Sequence, residues 1–260
     1  MSDTHQKQHY NKVAKNHGLS SLSSIKDQAI RDAELSFIYF CLAQYGTEKK
    51  SFLDLGCGNG HTLKKIRDKY ESLELTGLEY HKEMFTLALD QKINDCHLIH
   101  GDMSECHELE DDFDYILTER SFVNILNLKK RPKVVDTIFD ALKPGGLYIM
   151  IESFTESWIN LNQARAEFQL AEIPISAHNK YLNEDTIKIL SKKGFRELNH
   201  NFGRHYLSTH FYITRVWHPA IRITGSPMDN GHFSKFFTEA LPPNIGRYSP
   251  IQFRLFQKPY

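Results

Sequence analysis

The sequence predicts an α/β domain in which a largely parallel sheet is flanked by helices. Three observations carry that prediction. Phe52-Leu53-Asp54-Leu55 is an apolar run that ends in the glycine-spaced turn Gly56-Cys57-Gly58-Asn59-Gly60, and a helical pattern begins just after it. Short apolar runs and helical patterns then alternate, as they do when parallel strands are joined by crossover helices. Lys143-Pro144-Gly145-Gly146 turns the chain sharply into the apolar run 147–151.

Composition bounds the function. The 260 residues, 40% hydrophobic and 25% charged, are ordinary for a globular protein and suffice for one large domain with a sizeable lid. Equal numbers of basic and acidic residues, 32 of each, leave no broad basic field. That weighs against a nucleic-acid partner held through its phosphates. The fourteen histidines make the charge sensitive to mild acid. Cys41, Cys57, Cys96 and Cys106 form no CxxC pair and read as free thiols in a reducing compartment. No apolar run is long enough to span a bilayer, and residues 1–15 hold no apolar signal region, so the expected location is cytoplasmic.

In chain order, residues 1–24 are either a frayed tail or a flap over a ligand, with Tyr10 or His17 near it. A helix is expected over 24–45, capped by Ser24 with Asp27 as its capping-box acid and ended by Gly46. Strand one covers 50–55. The glycine turn after it lets a ligand approach bare backbone, and the next helix, 60–70, would offer free N–H groups to a polar ligand. A dinucleotide fingerprint needs a glycine at the sixth place, where this chain has His61, so a nicotinamide enzyme is disfavoured. Strand two, 73–78, ends at Glu79, roughly 20 residues beyond the turn, where a carboxylate meets a ribose in nucleotide-binding units. Tyr80 would lie beside the adenine. A helix over 81–92 and strand three, 96–100, lead to Gly101-Asp102-Met103. Cys96, His97, His100, Cys106 and His107 match no zinc template, and strand alternation would split them between faces, so no metal is expected. Asp111-Asp112 reads as a solvated loop.

Strand four, 113–117, runs into Thr118-Glu119-Arg120-Ser121-Phe122-Val123-Asn124, where Glu119 and Arg120 either bind an acceptor or pair with each other. A helix over 129–142 precedes strand five, 147–151, which ends at Glu152. A helix over 155–170 follows, then Pro174 to Tyr181, a proline-stiffened stretch that would line a pocket. Asn183-Glu184-Asp185 caps a helix to Lys193, stopped by Gly194, and strand six covers 195–202. Residues 203–249 are too long for a hairpin connection. They are rich in Tyr, Phe, His and Arg, are punctuated by Pro227, Pro242 and Pro243, and read as a cover or an oligomer contact. Alternation over 251–256 gives strand seven.

Asp54-x-Gly56-x-Gly58-x-Gly60, Glu79, Gly101-Asp102, the strand-four segment and Lys143-Pro-Gly-Gly together resemble the class I S-adenosylmethionine-dependent methyltransferases over roughly 25–202 and 250–257. The stretch 119–124, with Glu152, 178–181 and 201–203, resembles a bacterial subgroup associated with surface-glycan gene clusters. The resemblance implies a Rossmann-like seven-stranded mixed sheet of order 3-2-1-4-5-7-6 with strand seven antiparallel. It forms a single domain over 25–260, with substrate-cover insertions at about 153–182 and 203–249. S-adenosylmethionine would be bound by Asp54, Gly56, Cys57, Gly58, Gly60, Glu79, Tyr80, Asp102, Met103 and Glu119.

The expected reaction is methyl transfer to a hydroxyl or amine of a small molecule or glycan precursor. A hydroxyl must lose its proton, and a histidine suits that role. His178 is the first candidate base, followed by His210, Glu119 and Glu152. The Asn/Asp-Pro-Pro-aromatic signature of amino-methylating nucleic-acid enzymes is absent. The alternatives are a protein or RNA methyltransferase, or a catalytically silent binding protein of the same fold. A homodimer through 203–249 is a further expectation.

Overall fold

A computed structural model describes residues 10–12, 18, 27–105, 109, 113–221 and 231–260. Seven strands form one sheet in the order β3-β2-β1-β4-β5-β7-β6: β1 Ser51–Leu55, β2 Glu74–Glu79, β3 Cys96–His100, β4 Phe113–Glu119, β5 Leu142–Ser153, β6 Arg196–Leu198 and β7 Ile251–Gln257. The five strands β1 to β5 pair in parallel, and β7 runs antiparallel to both β5 and β6. This is the order and direction the sequence implied.

Strand alternation divides the core. Phe52, Tyr115, Ile149 and Phe253 point to one face of the sheet, where they join Phe37 and Ile38. Leu53, Ile116, Tyr148 and Phe256 point to the other, where they join Val134, Ile138 and Leu190. The helices that supply these residues are α1 Gln28–Tyr45, α4 Arg131–Ala141 and α6 Glu184–Lys193. Between them in sequence lie α2 His61–Arg67, α3 Lys82–Asp90 and α5 Thr155–Glu167. Among the described residues no helix is long and apolar enough to cross a membrane.

Three boundaries differ from expectation. Helix α1 begins at Gln28, and Asp27 is itself the cap, accepting from the Ala29 N–H at 3.2 Å. The expected cap Ser24 lies outside the described residues, as do His17, Cys106, His107, Asp111, Asp112, Pro227 and most of the N-terminal 24. The proline-glycine turn is absorbed into β5: the ladder to β4 jumps from Phe113↔Leu142 to Tyr115↔Leu147, which makes the turn a bulge. Strand β6 has only three residues because just Arg196 to Leu198 pair with β7; beyond it Phe202 turns in to pack on Phe37.

The long connection between β6 and β7 is helical: α7 Ser208–Tyr212, a π-helical turn Ile213–Trp217, α8 His218–Ile221 and α9 His232–Ala240. Leu207, Phe211 and Val216 enter the α1 side of the core. His210 Nε2 lies 2.8 Å and Arg215 Nη2 2.9 Å from Asp27 Oδ2. This insertion therefore buttresses the start of α1. Burial works against the Asp27 carboxylate, but the His210 hydrogen bond and the nearby charges outweigh it and hold its pKa below the usual value.

Replacing Asp27 by Ala removes a helix cap and takes the carboxylate away from Arg215 and His210 at once. We expect a loss of ~2–4 kcal/mol in urea unfolding. In the wild type that contribution is present above the unfolded-state pKa of Asp27 and is lost as pH falls through the depressed folded value.

Candidate functional site

A cavity of about 390 Å³ opens at the carboxyl ends of β1 to β5. Asp54, at the end of β1, is buried in its wall, and Oδ1 has no hydrogen-bond partner. The chain then turns through Gly56, whose φ is 88°, and the Gly56 and Cys57 N–H groups donate to Leu78 O at 2.7 and 3.0 Å. A Cβ on Gly56 would stand 2.4 Å from Ser121 Cβ, so only glycine lets the β1 turn and the β4 loop meet.

Glu79 ends β2. Its Oε2 accepts from the Gly58 N–H at 2.8 Å and its Oε1 from the His81 N–H at 2.7 Å. Burial pushes this carboxyl up to about 7 despite those bonds. Tyr80 is 39% exposed at the rim. Asp102, past β3, accepts from Ser104 N and Oγ at 2.8 and 2.7 Å and pairs with Lys130 at 3.3 Å. Burial raises its pKa, but these partners outweigh burial and hold it low. Met103 is buried beside Gly56.

At the end of β4, Glu119 and Arg120 both line the cavity and also pair, so the structure combines the two readings of their sequence. Glu119 accepts from Thr62 Oγ1 at 2.6 Å and from Arg31 Nη1 at 2.5 Å. Arg31 Nη1 reaches Glu34 at 3.3 Å, Arg120 Nε reaches Glu34 at 2.8 Å, and Arg120 Nη2 lies 3.6 Å from Glu119. The four side chains close a ring between α1 and β4, in which burial, with Glu119 adding to it, raises the Glu34 carboxyl to about 8. Burial raises the Glu119 pKa, but the two arginines outweigh it and bring it down to about 2, so this group is a held anion and a poor proton acceptor. Arg120 adopts φ 54°, a costly conformation for a residue with a side chain.

The remaining candidates separate. Glu152 is fully buried and outside the cavity lining. Its carboxyl accepts from the N–H groups of Ser121, Phe122 and Val123 at 3.1, 2.8 and 3.2 Å, and burial pushes it up to about 7. It holds the β4 loop. His210 also lies outside the lining, committed to Asp27. His178 lines the cavity, edge-on to the Tyr10 ring at 6.2 Å. Ser153, His178 and Asn179 represent the 153–182 insertion there, whereas no described residue of 203–249 reaches it. The described residues of 203–249 instead pack on the α1 side of the core. Sequence reasoning missed Arg31, Thr62 and Asn124. The available signal was a charged pair, Arg31 and Glu34, on the otherwise apolar inner stripe of α1.

Residues 52–146 match a family described as "Methyltransferase domain". A chain of the Haloferax volcanii complex between the Trm112 methyltransferase activator and a methyltransferase superposes with a TM-score of 0.61 at 16% identity, covering 97% of this chain and 98% of that one. The chain has the class I methyltransferase fold. N-methyltransferase NodS from Bradyrhizobium japonicum WM9, solved with S-adenosyl-L-homocysteine, gives 0.58 at 12% identity, covering 97% and 99%. The demethylmenaquinone methyltransferase of Oceanobacillus iheyensis is 25% identical over 164 residues, 58% of this chain and 68% of that protein. In this methyltransferase fold the cavity occupies the sheet edge where open α/β domains bind ligands.

Glu79 and Glu152 are both raised from an ordinary 4.5 to about 7, so the folded state holds extra protons between those values. Stability should therefore fall as pH rises through that window, by ~1–3 kcal/mol in urea unfolding. Glu79→Gln should flatten that slope.

Proposed function

We propose that this chain is an S-adenosylmethionine-dependent methyltransferase acting on a hydroxyl or amine of a small-molecule acceptor, a sugar or glycan precursor included. Asp54 carries the reading. A buried carboxyl oxygen without a partner is costly, and it stands in the wall of the cavity beside the glycine turn. Burial, with Glu119 and Glu79 adding to it, raises its pKa well above the usual value. A ligand that brings a cationic, hydrogen-donating group would relieve both conditions. The ammonium group of S-adenosylmethionine meets that requirement, and its sulfonium adds positive charge.

The other residues fit the same ligand. Gly56, Cys57 and Gly58 line the cavity and offer backbone to its methionine part, whereas Gly60, expected to join them, lies outside the lining against Ala88 and Ile93. Glu79 faces the ribose hydroxyls with Tyr80 at the rim, and Asp102 with Met103 holds the adenine. Glu119 takes part through Arg31. Arg31 is buried and lines the cavity, its Nε has no hydrogen-bond partner, and we assign it to the ligand's carboxylate.

S-adenosylmethionine, when bound, supplies a methyl group already activated by positive sulfur. The chain then has to align the acceptor and keep water out. Glu152 fixes the β4 loop that carries Ser121 and Asn124 into the cavity. His178 is the group placed to take a proton from a hydroxyl acceptor. A neutral amine acceptor needs no such base. Tyr10 also enters the cavity.

Calorimetry tests the reading directly: S-adenosylmethionine and S-adenosylhomocysteine should bind and NADH should not. No binding of either sulfur ligand would sink it. Glu79→Ala should weaken S-adenosylhomocysteine by ~10–100-fold, equivalent to about 1.4–2.7 kcal/mol. Arg31→Gln should weaken S-adenosylhomocysteine by about tenfold or more. The same change should leave 5′-methylthioadenosine, which lacks the carboxylate, near its wild-type affinity.

A further inference from the structure

Glu34 sits on α1 behind the cavity wall. It is fully buried and outside the lining, and it shares its partners with groups that do line the cavity. Arg31 Nη1 lies 3.3 Å from its Oε2, and Arg120 Nε lies 2.8 Å from its Oε1. A hydrogen bond also joins the Glu34 and Glu119 carboxyls. Two carboxylates offer only acceptors, so that bond needs a proton between them. Glu119 faces both arginines and accepts from Thr62, which makes it the anion of the pair and Glu34 the holder of the proton. Burial, with Glu119 adding to it, raises Glu34 to about 8, in keeping with that assignment.

Each element around Glu34 brings its own charges. Arg31 stands on the same helix, and Glu119 and Arg120 come from the end of β4. Asp54 of β1 and His61 of α2 interact with Arg31, and Lys65 acts on His61. Glu152 of β5 is spent on the 121–123 N–H groups, and Asp27 at the helix cap is held by His210 and Arg215. Without a ligand, an ionised Glu34 would make two anions for two arginines. A ligand carboxylate on Arg31 changes that balance. Together with Glu119 it already matches both cations, and Asp54 answers the ligand's ammonium. An ionised Glu34 would then be a surplus charge with no water to receive it.

Resting on the methyltransferase reading and its assignment of Arg31, we propose that Glu34 is a positioning residue that carries a proton so that Arg31 can receive the ligand's carboxylate. Cofactor binding and Glu34 protonation are then coupled, each favouring the other. Binding takes up a proton wherever Glu34 is ionised in the free protein, and affinity falls as pH rises through about 8.

Calorimetry on the whole chain at about pH 8.5, in two buffers of different ionisation enthalpy, counts the protons taken up with S-adenosylhomocysteine. The wild type should take up about half a proton or more beyond Glu34→Gln, which cannot titrate. Decarboxylated S-adenosylhomocysteine keeps the ammonium and lacks the carboxylate, and with it the two proteins should take up equal amounts. From about pH 7 to 9 the wild type should lose roughly fivefold more affinity for S-adenosylhomocysteine than the variant does. Binding of the decarboxylated ligand certifies the variant's fold. If the variant binds neither ligand, the wild type decides: it should take up about half a proton or more with S-adenosylhomocysteine beyond its uptake with the decarboxylated ligand. Equal uptake in the deciding comparison, or a difference between the two proteins that persists with the decarboxylated ligand, would overturn the proposal. Equal wild-type affinity for the two ligands would remove the Arg31 assignment and this proposal with it. Failure of the wild type to bind S-adenosylhomocysteine would instead remove the methyltransferase reading beneath both.

Discussion

The ring of Glu34, Arg31, Glu119 and Arg120 is the constraint on which the rest of the site depends. It is almost wholly removed from water, where desolvation makes ion pairs poor sources of net stability. Burial raises the Glu34 carboxyl to about 8, with Glu119 adding to it, so near neutral pH the two arginines share the single firm anion Glu119 and the protonated Glu34 joins the ring as a neutral group. The ring ties α1, which precedes the sheet in sequence, to the end of β4 at the sheet's middle. Arg31 and Arg120 of the ring both line the cavity, and Arg120 adopts its left-handed conformation there. The ring thus fixes the geometry of the cavity wall more than it adds stability.

A second buried anion does the same work one strand over. Glu152 receives three consecutive backbone N–H groups, so the chain after β4 cannot drift without leaving donors unpaired in the interior. Lys180 N–H donates to Val123 O at 2.7 Å, and Arg131 donates to the carbonyls of Lys180 and Tyr181. The two loops that bound this side of the cavity are therefore fastened to each other and to α4. What sequence presents as two separate connections behaves as one wall.

The fold was largely legible in the residues. Alternation of apolar runs and helical patterns located the strands, and the glycine turn located the cavity, because backbone needs of that kind leave a local mark. The cavity-lining carboxylates Asp54, Glu79 and Asp102 were legible for the same reason: each sits just where a strand ends. Arg31 and Asn124 were not, since their importance comes from partners 88 and 114 positions away in the chain. His210 misled because an aromatic-rich insertion looks alike whether it covers a pocket or props a helix. Only the partner, Asp27, tells the two apart. Glu152 misled because a carboxylate at a strand end can face the cavity or, as here, turn back on the loop.

The placement of residues 203–249 separates two evolutionary pressures. The described residues of that insertion pack with α1, and none of them lines the cavity. Of 168–182, a stretch with almost no helix or strand of its own, His178 and Asn179 line it. Divergence among the described residues of the insertion would act first on thermal tolerance, and divergence at 178 and 179 on the shape of the cavity.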